Sequence, residues 1–140
     1  MSAVFVDSGA WIALLTADDR LHSAAAAAYD RLQASGTRLL TTNYVVDESA
    51  TRLRYDSGLR AALAFRSMLQ AAGRTGSLRI LWVDPRTEAQ GWDLLAGSAD
   101  VRLSLTDAIS AAVARRSRIG RIFGFDEDFR ALGFELLPGA

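Results

Sequence analysis

The sequence predicts an α/β fold in which a parallel sheet is covered by helices on both faces. Three observations predict it. The strand candidates are short and apolar throughout, as strands buried on both faces are. Helical stretches separate them, which parallel pairing requires. Half of the 140 residues are hydrophobic, enough for one substantial core.

Ala3-Val4-Phe5-Val6 is an apolar run of β-formers, and Asp7-Ser8-Gly9 ends it with residues that favour turns and helix starts. A first helix is expected over residues 10–16. Asp18 and Asp19 can cap a second, alanine-rich helix over 21–34, which Gly36 stops. The alanine run 24–28 inside it reads as ordinary helix by propensity. Arg38-Leu39-Leu40-Thr41 is the second strand. Helix returns over 44–55, and Ser57-Gly58 turns the chain into another helix that runs to Ala72, with Gly73 as the expected break. Residues 78–83 are the next β-rich run, Asp84-Pro85 caps the following helix, and Gly97 closes it. Residues 105–116 are helical, Arg121-Ile122-Phe123 is a short strand, 126–132 a helical turn and 134–137 the last strand. No linker, low-complexity tract or repeat interrupts this pattern, so residues 1–140 read as a single domain.

Composition removes several chemistries. With no cysteine, disulfides, thiolate metal sites and thiol nucleophiles are excluded, and any metal must sit on oxygen or histidine. Sixteen basic residues balance sixteen acidic ones, so net charge does not announce a nucleic-acid binder. All sixteen are arginine, which rules out lysine as Schiff base, general base or phosphate anchor. No apolar run approaches the ~18 to 20 residues of a membrane span, and neither end reads as a targeting segment, so a soluble cytoplasmic protein is expected.

The acidic residues carry the chemistry. Ligands of open α/β sheets bind beyond the carboxyl ends of the strands. Asp7 directly follows the first strand, and Asp126 follows the fourth with only Gly124 and Phe125 between. Asp107 stands in the first turn of a helix, and Glu48 lies early in the helix after the second strand. Carboxylates gathered in one place repel one another unless a divalent cation balances them, and magnesium or manganese suits an all-oxygen set. The reaction this implies is phosphodiester hydrolysis by metal-activated water. Each acid also has a plainer reading. Asp7 can cap the first helix, Ser104-Leu105-Thr106-Asp107 has capping-box spacing, Asp126 can start a turn, and Glu48 can be solvated. Helical periodicity does not choose Glu48 over Asp47.

The order of these segments resembles the PIN-domain family, particularly the toxin halves of VapBC-type toxin–antitoxin pairs. Phe5-Val6-Asp7-Ser8-Gly9-Ala10-Trp11 looks like the family's opening strand and first acid, and Thr41-Thr42-Asn43-Tyr44-Val45-Val46-Asp47-Glu48 like its second segment, which points to Glu48. Leu105-Thr106-Asp107-Ala108 resembles the third acidic motif and Phe123-Gly124-Phe125-Asp126-Glu127-Asp128-Phe129 the last, with Gly133-Phe134-Glu135 closing the match. The resemblance implies a three-layer α/β/α sandwich, a magnesium- or manganese-dependent ribonuclease selective for single strands, homodimerisation, and inhibition by a small cognate antitoxin. It makes Asp7, Glu48, Asp107 and Asp126 metal ligands, directly or through water, with Asp128 a fifth candidate. Ser8 and Thr106 would orient metal or water through their hydroxyls. Gly124 and Phe125 depart from the family, where many relatives carry a hydroxyl residue before the last acid.

Arg115, Arg116 and Arg130 flank the motifs and are candidates for RNA phosphate contact, though helix arginines are more often solvated. His22 reads as a helix surface residue, and Trp11, Trp82 and Trp92 as core rather than stacking platforms. An aspartyl phosphatase or phosphoacceptor receiver also places aspartate after the first strand, but both resemblances imply a lysine this chain lacks. A housekeeping RNA-processing nuclease and a non-catalytic metal- or RNA-binding protein are the remaining alternatives. The RNA target is not legible.

Overall fold

The structure is a computed structural model that describes residues 2–139. One sheet holds five strands, β1 (Ala3–Val6), β2 (Arg38–Thr42), β3 (Leu78–Leu81), β4 (Arg121–Phe123) and β5 (Glu135–Leu137), all parallel and in the order β3-β2-β1-β4-β5. The helices between them are α1 (Ser8–Leu15), α2 (His22–Ala34), α3 (Asn43–Asp56), α4 (Leu59–Arg74), α5 (Pro85–Ala96), α6 (Leu105–Arg116) and α7 (Asp128–Ala131). Successive side chains of a strand face opposite sides of the sheet. Val4, Phe5 and Val6 of central β1 are all fully buried, so both faces are covered and the fold is the expected three-layer α/β/α sandwich. Trp11 of α1 meets Phe65 of α4 at 5.5 Å between ring centroids and anchors the helical layer there.

The elements fall within a few residues of expectation, with instructive exceptions. Gly73 does not stop α4, because a glycine with helical backbone lowers helix stability without ending it. The stop falls at Gly76, whose φ of 78° lies in the left-handed region that turns a chain out of a helix. Asp19 does not cap α2; its carboxylate accepts the Leu21 amide at 2.7 Å and shapes the turn before it. Of the three tryptophans expected in the core, only Trp11 is buried, while Trp82 is 76% and Trp92 52% exposed. His22 is half-buried rather than a free surface residue, with Nδ1 2.8 Å from the Ala13 carbonyl oxygen, a link between α2 and α1.

Helices α5 and α6 pack closely because Gly91 has no side chain. A Cβ there would stand 2.3 Å from Ile109 Cγ1 and 3.1 Å from Ile109 Cα, so backbone as well as side chain would have to move. Since α6 carries Asp107, this contact also sets where that acid sits. Gly91→Ala gains up to ~1 kcal/mol of helix propensity, but overpacking outweighs it. The variant should lose about 1–3 kcal/mol of stability in urea unfolding. Wild-type stability would show that the two helices are free to separate.

Candidate metal centre

Strands β2 and β3 lie to one side of β1, and β4 and β5 to the other. The connections leaving β1 and β4 therefore diverge, and a crevice opens beyond their carboxyl ends. Asp7 stands at its floor. Its amide donates to the carbonyl of Phe123, the last residue of β4, at 2.9 Å, which sets it beside the Gly124–Asp126 segment.

Asp7 occupies the N-cap position of α1, yet its side chain makes no cap hydrogen bond. The residue is 3% exposed and Oδ1 is buried without a partner. Capping therefore does not account for this carboxylate. Burial pushes its pKa from 3.8 up to about 7, with the charge of Asp107 adding most after that and Glu48 and Asp126 contributing.

Glu48 lies on α3, half-buried, with Oε2 fully buried and unpartnered, whereas neighbouring Asp47 is exposed. Burial thus distinguishes the two neighbours, which periodicity does not. Desolvation raises the Glu48 pKa, the Asp107 charge raises it further, and Arg52 and the Ser8 hydroxyl oppose the shift. Glu48 shares a cavity of about 300 Å³ with Asn43, Tyr44, Asp47 and Thr106. The Thr106 hydroxyl residue and buried Ser8 are both therefore close to the acids.

Asp107 does two things at once. The Ser104 hydroxyl accepts the Asp107 amide at 3.0 Å, while Asp107 Oδ2 accepts the Ser104 amide at 3.3 Å, a complete capping box. Its pKa is nevertheless raised, first by burial and then by the charges of Asp126 and Asp128, with the Ser104 bonds opposing. Asp126 Oδ1 accepts the Asp128 amide at 2.9 Å, which fixes the loop leading into α7. The charges of Asp107, Glu48 and Asp126 all reach Asp7, and that of Asp128 reaches Asp107.

Buried, unpartnered carboxylate oxygens that destabilise one another's charge are what a divalent cation would relieve. Among the described residues, no three acidic or histidine side chains stand close enough to enclose an ion by themselves. The set fits a cation such as magnesium, which takes one or two carboxylates and keeps several waters.

The three flanking arginines all have partners within the chain. Arg115 Nη2 donates to the Leu132 carbonyl at 2.8 Å, and its guanidinium lies over the Phe134 ring at 5.8 Å. Arg116 Nη1 donates to Thr87 Oγ1 and Gln90 Oε1 at 3.1 and 3.0 Å, tying α6 to α5. Arg130 pairs with Glu127 at 2.7 Å.

Two site residues have roles that sequence alone did not assign. A Cβ on Gly124 would stand 3.1 Å from Asp7 Cβ, so the glycine gives Asp7 its room. Its place between a strand end and an acid was the available signal. Asn43 Oδ1 accepts the Val83 amide at 2.7 Å and ties the chain after β3 to the start of α3; no sequence pattern marked it.

Comparison with known proteins finds relatives over nearly the whole chain. The PIN domain family matches residues 4–135. The 23S rRNA-specific endonuclease VapC20 of Mycobacterium tuberculosis is 37% identical over 94% of this chain and 95% of its own. Its crystal structure, described as that of a sarcin–ricin loop cleaving toxin, superposes with a TM-score of 0.79 over the same shares of the two chains. A VapC ribonuclease of Archaeoglobus fulgidus is 25% identical over 91% of this chain and 79% of its own. The fold is also that of PAE2754 from Pyrobaculum aerophilum, with a TM-score of 0.65 at 20% identity over 98% of this chain and 90% of that one.

A folded-state pKa of about 7 against 3.8 means that the folded protein holds the Asp7 proton more tightly than the unfolded chain. Stability from this group is then fully present below pH ~4 and is lost as pH rises through ~7. In EDTA, Asp7→Asn should raise the melting temperature at pH 8 by roughly 5 °C or more, and by much less at pH 4. An equal rise at both values would mean that Asp7 carries no such charge penalty.

Proposed function

The chain belongs to the PIN-domain family, and we propose that it is the toxin ribonuclease of a toxin–antitoxin pair, hydrolysing RNA phosphodiester bonds at the acidic crevice. The observation that carries the reading is the buried, unpartnered Asp7 carboxylate beyond β1, under the charges of Asp107, Glu48 and Asp126. PIN-domain nucleases generally depend on divalent metal. Magnesium, or manganese, is the ion this oxygen set suits, held by Asp7, Glu48, Asp107 and Asp126 directly or through water, with Asp128 as a further ligand.

Bound there, the cation would supply the Lewis acidity and activated water that phosphodiester hydrolysis needs. The chain's own residues do the rest. Asp7, at the crevice floor, fixes the position of the charge on the rigid end of β1. Asp107 holds its carboxylate in one orientation through the capping box. Ser8 and Thr106 orient groups beside Glu48 through their hydroxyls. With no cysteine or lysine in the chain, covalent catalysis by thiol or amine is unavailable.

The 37% identical relative is named for 23S rRNA, which makes the same RNA the first target for this chain. A cognate antitoxin is the expected partner, occupying the groove beside the acids, and homodimerisation is expected from the family. Among the described residues no helix is long and apolar enough to cross a membrane, and a cytoplasmic site of action follows from an RNA substrate.

Incubated with 23S rRNA and unrelated RNAs, the protein should cleave in magnesium or manganese and not in EDTA. Asp7→Asn should reduce cleavage to background. Loss of activity in EDTA but full activity in Asp7→Asn would remove Asp7 from the site. Gly124→Ala, which crowds Asp7 without changing charge, should weaken manganese binding about tenfold by titration calorimetry while the fold persists. Unchanged affinity there would refute the positioning role given to Gly124.

A further inference from the structure

Strand β3 is a free edge of the sheet, and between it and α5 lies a groove of about 480 Å³. Arg79, Ile80 and Trp82 line it together with Asp84, Arg86 and Arg116. Three guanidiniums thus face one carboxylate, and Asp84 already accepts the Thr87 amide of its own helix at 2.8 Å. The one ion pair among the described residues is Arg130 with Glu127, which leaves Arg79 and Arg86 without an acidic partner. Trp82 sits beside them 76% exposed.

The groove is joined to the acidic crevice through one short piece of chain. Val83, next to Trp82, donates its amide to Asn43, which lines the cavity beside Glu48. Tyr44 of the same cavity donates to Glu88 of α5 at 2.8 Å, and α5 walls the groove through Arg86. A polymer leaving the crevice over Asn43 and Val83 arrives at Trp82.

We infer that this groove is a second contact site for the RNA substrate: it takes the single strand leaving the crevice, with Arg79 and Arg86 on phosphates and Trp82 stacked on a base. The inference rests on the nuclease reading above. Unpartnered arginines beside an exposed aromatic ring are how single strands are held without regard to sequence, phosphates by charge and bases by their faces. An apolar partner helix would find only Ile80, Leu81 and Trp82 to cover, and would bury two unpaired charges.

Binding can be measured without turnover, in EDTA, by fluorescence anisotropy of a labelled single-stranded RNA of about twelve nucleotides on the Asp7→Asn protein. Adding Trp82→Ala should weaken binding about tenfold. Adding Arg79→Ser and Arg86→Ser together should lower the slope of log affinity against log salt by about 1.4. Circular dichroism and melting temperature should stay unchanged, since these residues are exposed. Unaltered affinity and salt slope in folded variants would overturn the inference. So would a Trp82→Ala protein that changes its sedimentation but not its RNA affinity, which would assign the groove to a second copy of the chain. Absence of cleavage by the wild-type protein under any metal would instead count against the nuclease reading, because the binding measurement does not depend on it.

Discussion

The structure turns on a carboxylate held out of water at the end of its central strand. Asp7 could have been neutralised by the amides of α1, as an N-cap aspartate usually is, but its side chain makes no such bond. Its unpartnered oxygen lies where the sheet's connections part and where the other acids direct their charge. Every element around it is arranged to hold that position: β1 is buried on both faces, Gly124 stands clear of its Cβ, and α6 is seated by close contact at Gly91. A fold that concentrates like charge in a dry place gains nothing from it in stability. What would relieve that charge is a small, hard, doubly charged ion, the cation proposed above.

The sequence made the strand ends legible because apolar runs bounded by turn residues leave few choices, and the acids at those ends followed. The order of the motifs then identified the family. Less could be read where one residue serves two purposes. Ser104 and Asp107 satisfy a capping box, so local pattern alone offered a complete account of Asp107, and only its burial among other carboxylates adds the second. Glu48 and Asp47 are adjacent on one helix, and the difference between them is a matter of which points inward. Trp11 is in the core as expected, whereas Trp82 and Trp92 are not, and for Trp82 the reason is related. Trp82 directly follows an apolar strand and reads as its continuation, yet β3 is an edge strand and the chain leaves the sheet at Leu81. Edge position is a property of topology, which no window of sequence contains.

The proposed RNA contact has to come from the placement of the arginines, since the net charge of the chain is zero. Those nearest the motifs are held by neighbours: Arg116 ties α6 to α5, Arg115 closes on Leu132 and Phe134, and Arg130 is paired. They contribute to the architecture first. Arg79 and Arg86 along the sheet edge are in no ion pair, and Asp84 is the one acid among the residues that line their groove. Separation of the two signs, more than their sum, sets the field that a phosphate chain meets.

The strand order also bears on the order of synthesis. Of the five strands central β1 is made first, and β2 and β3 follow and pair on one side of it, but its other neighbour, β4, comes only with residues 121–123. A growing polypeptide can therefore build half of the sheet while the opposite edge of β1 stays open, with Asp7 uncovered and Asp126 not yet made. The acidic set comes together only after Asp126 has been made. For the toxin ribonuclease proposed above, this order keeps the acidic set incomplete until β4 and the segment that follows it have left the ribosome.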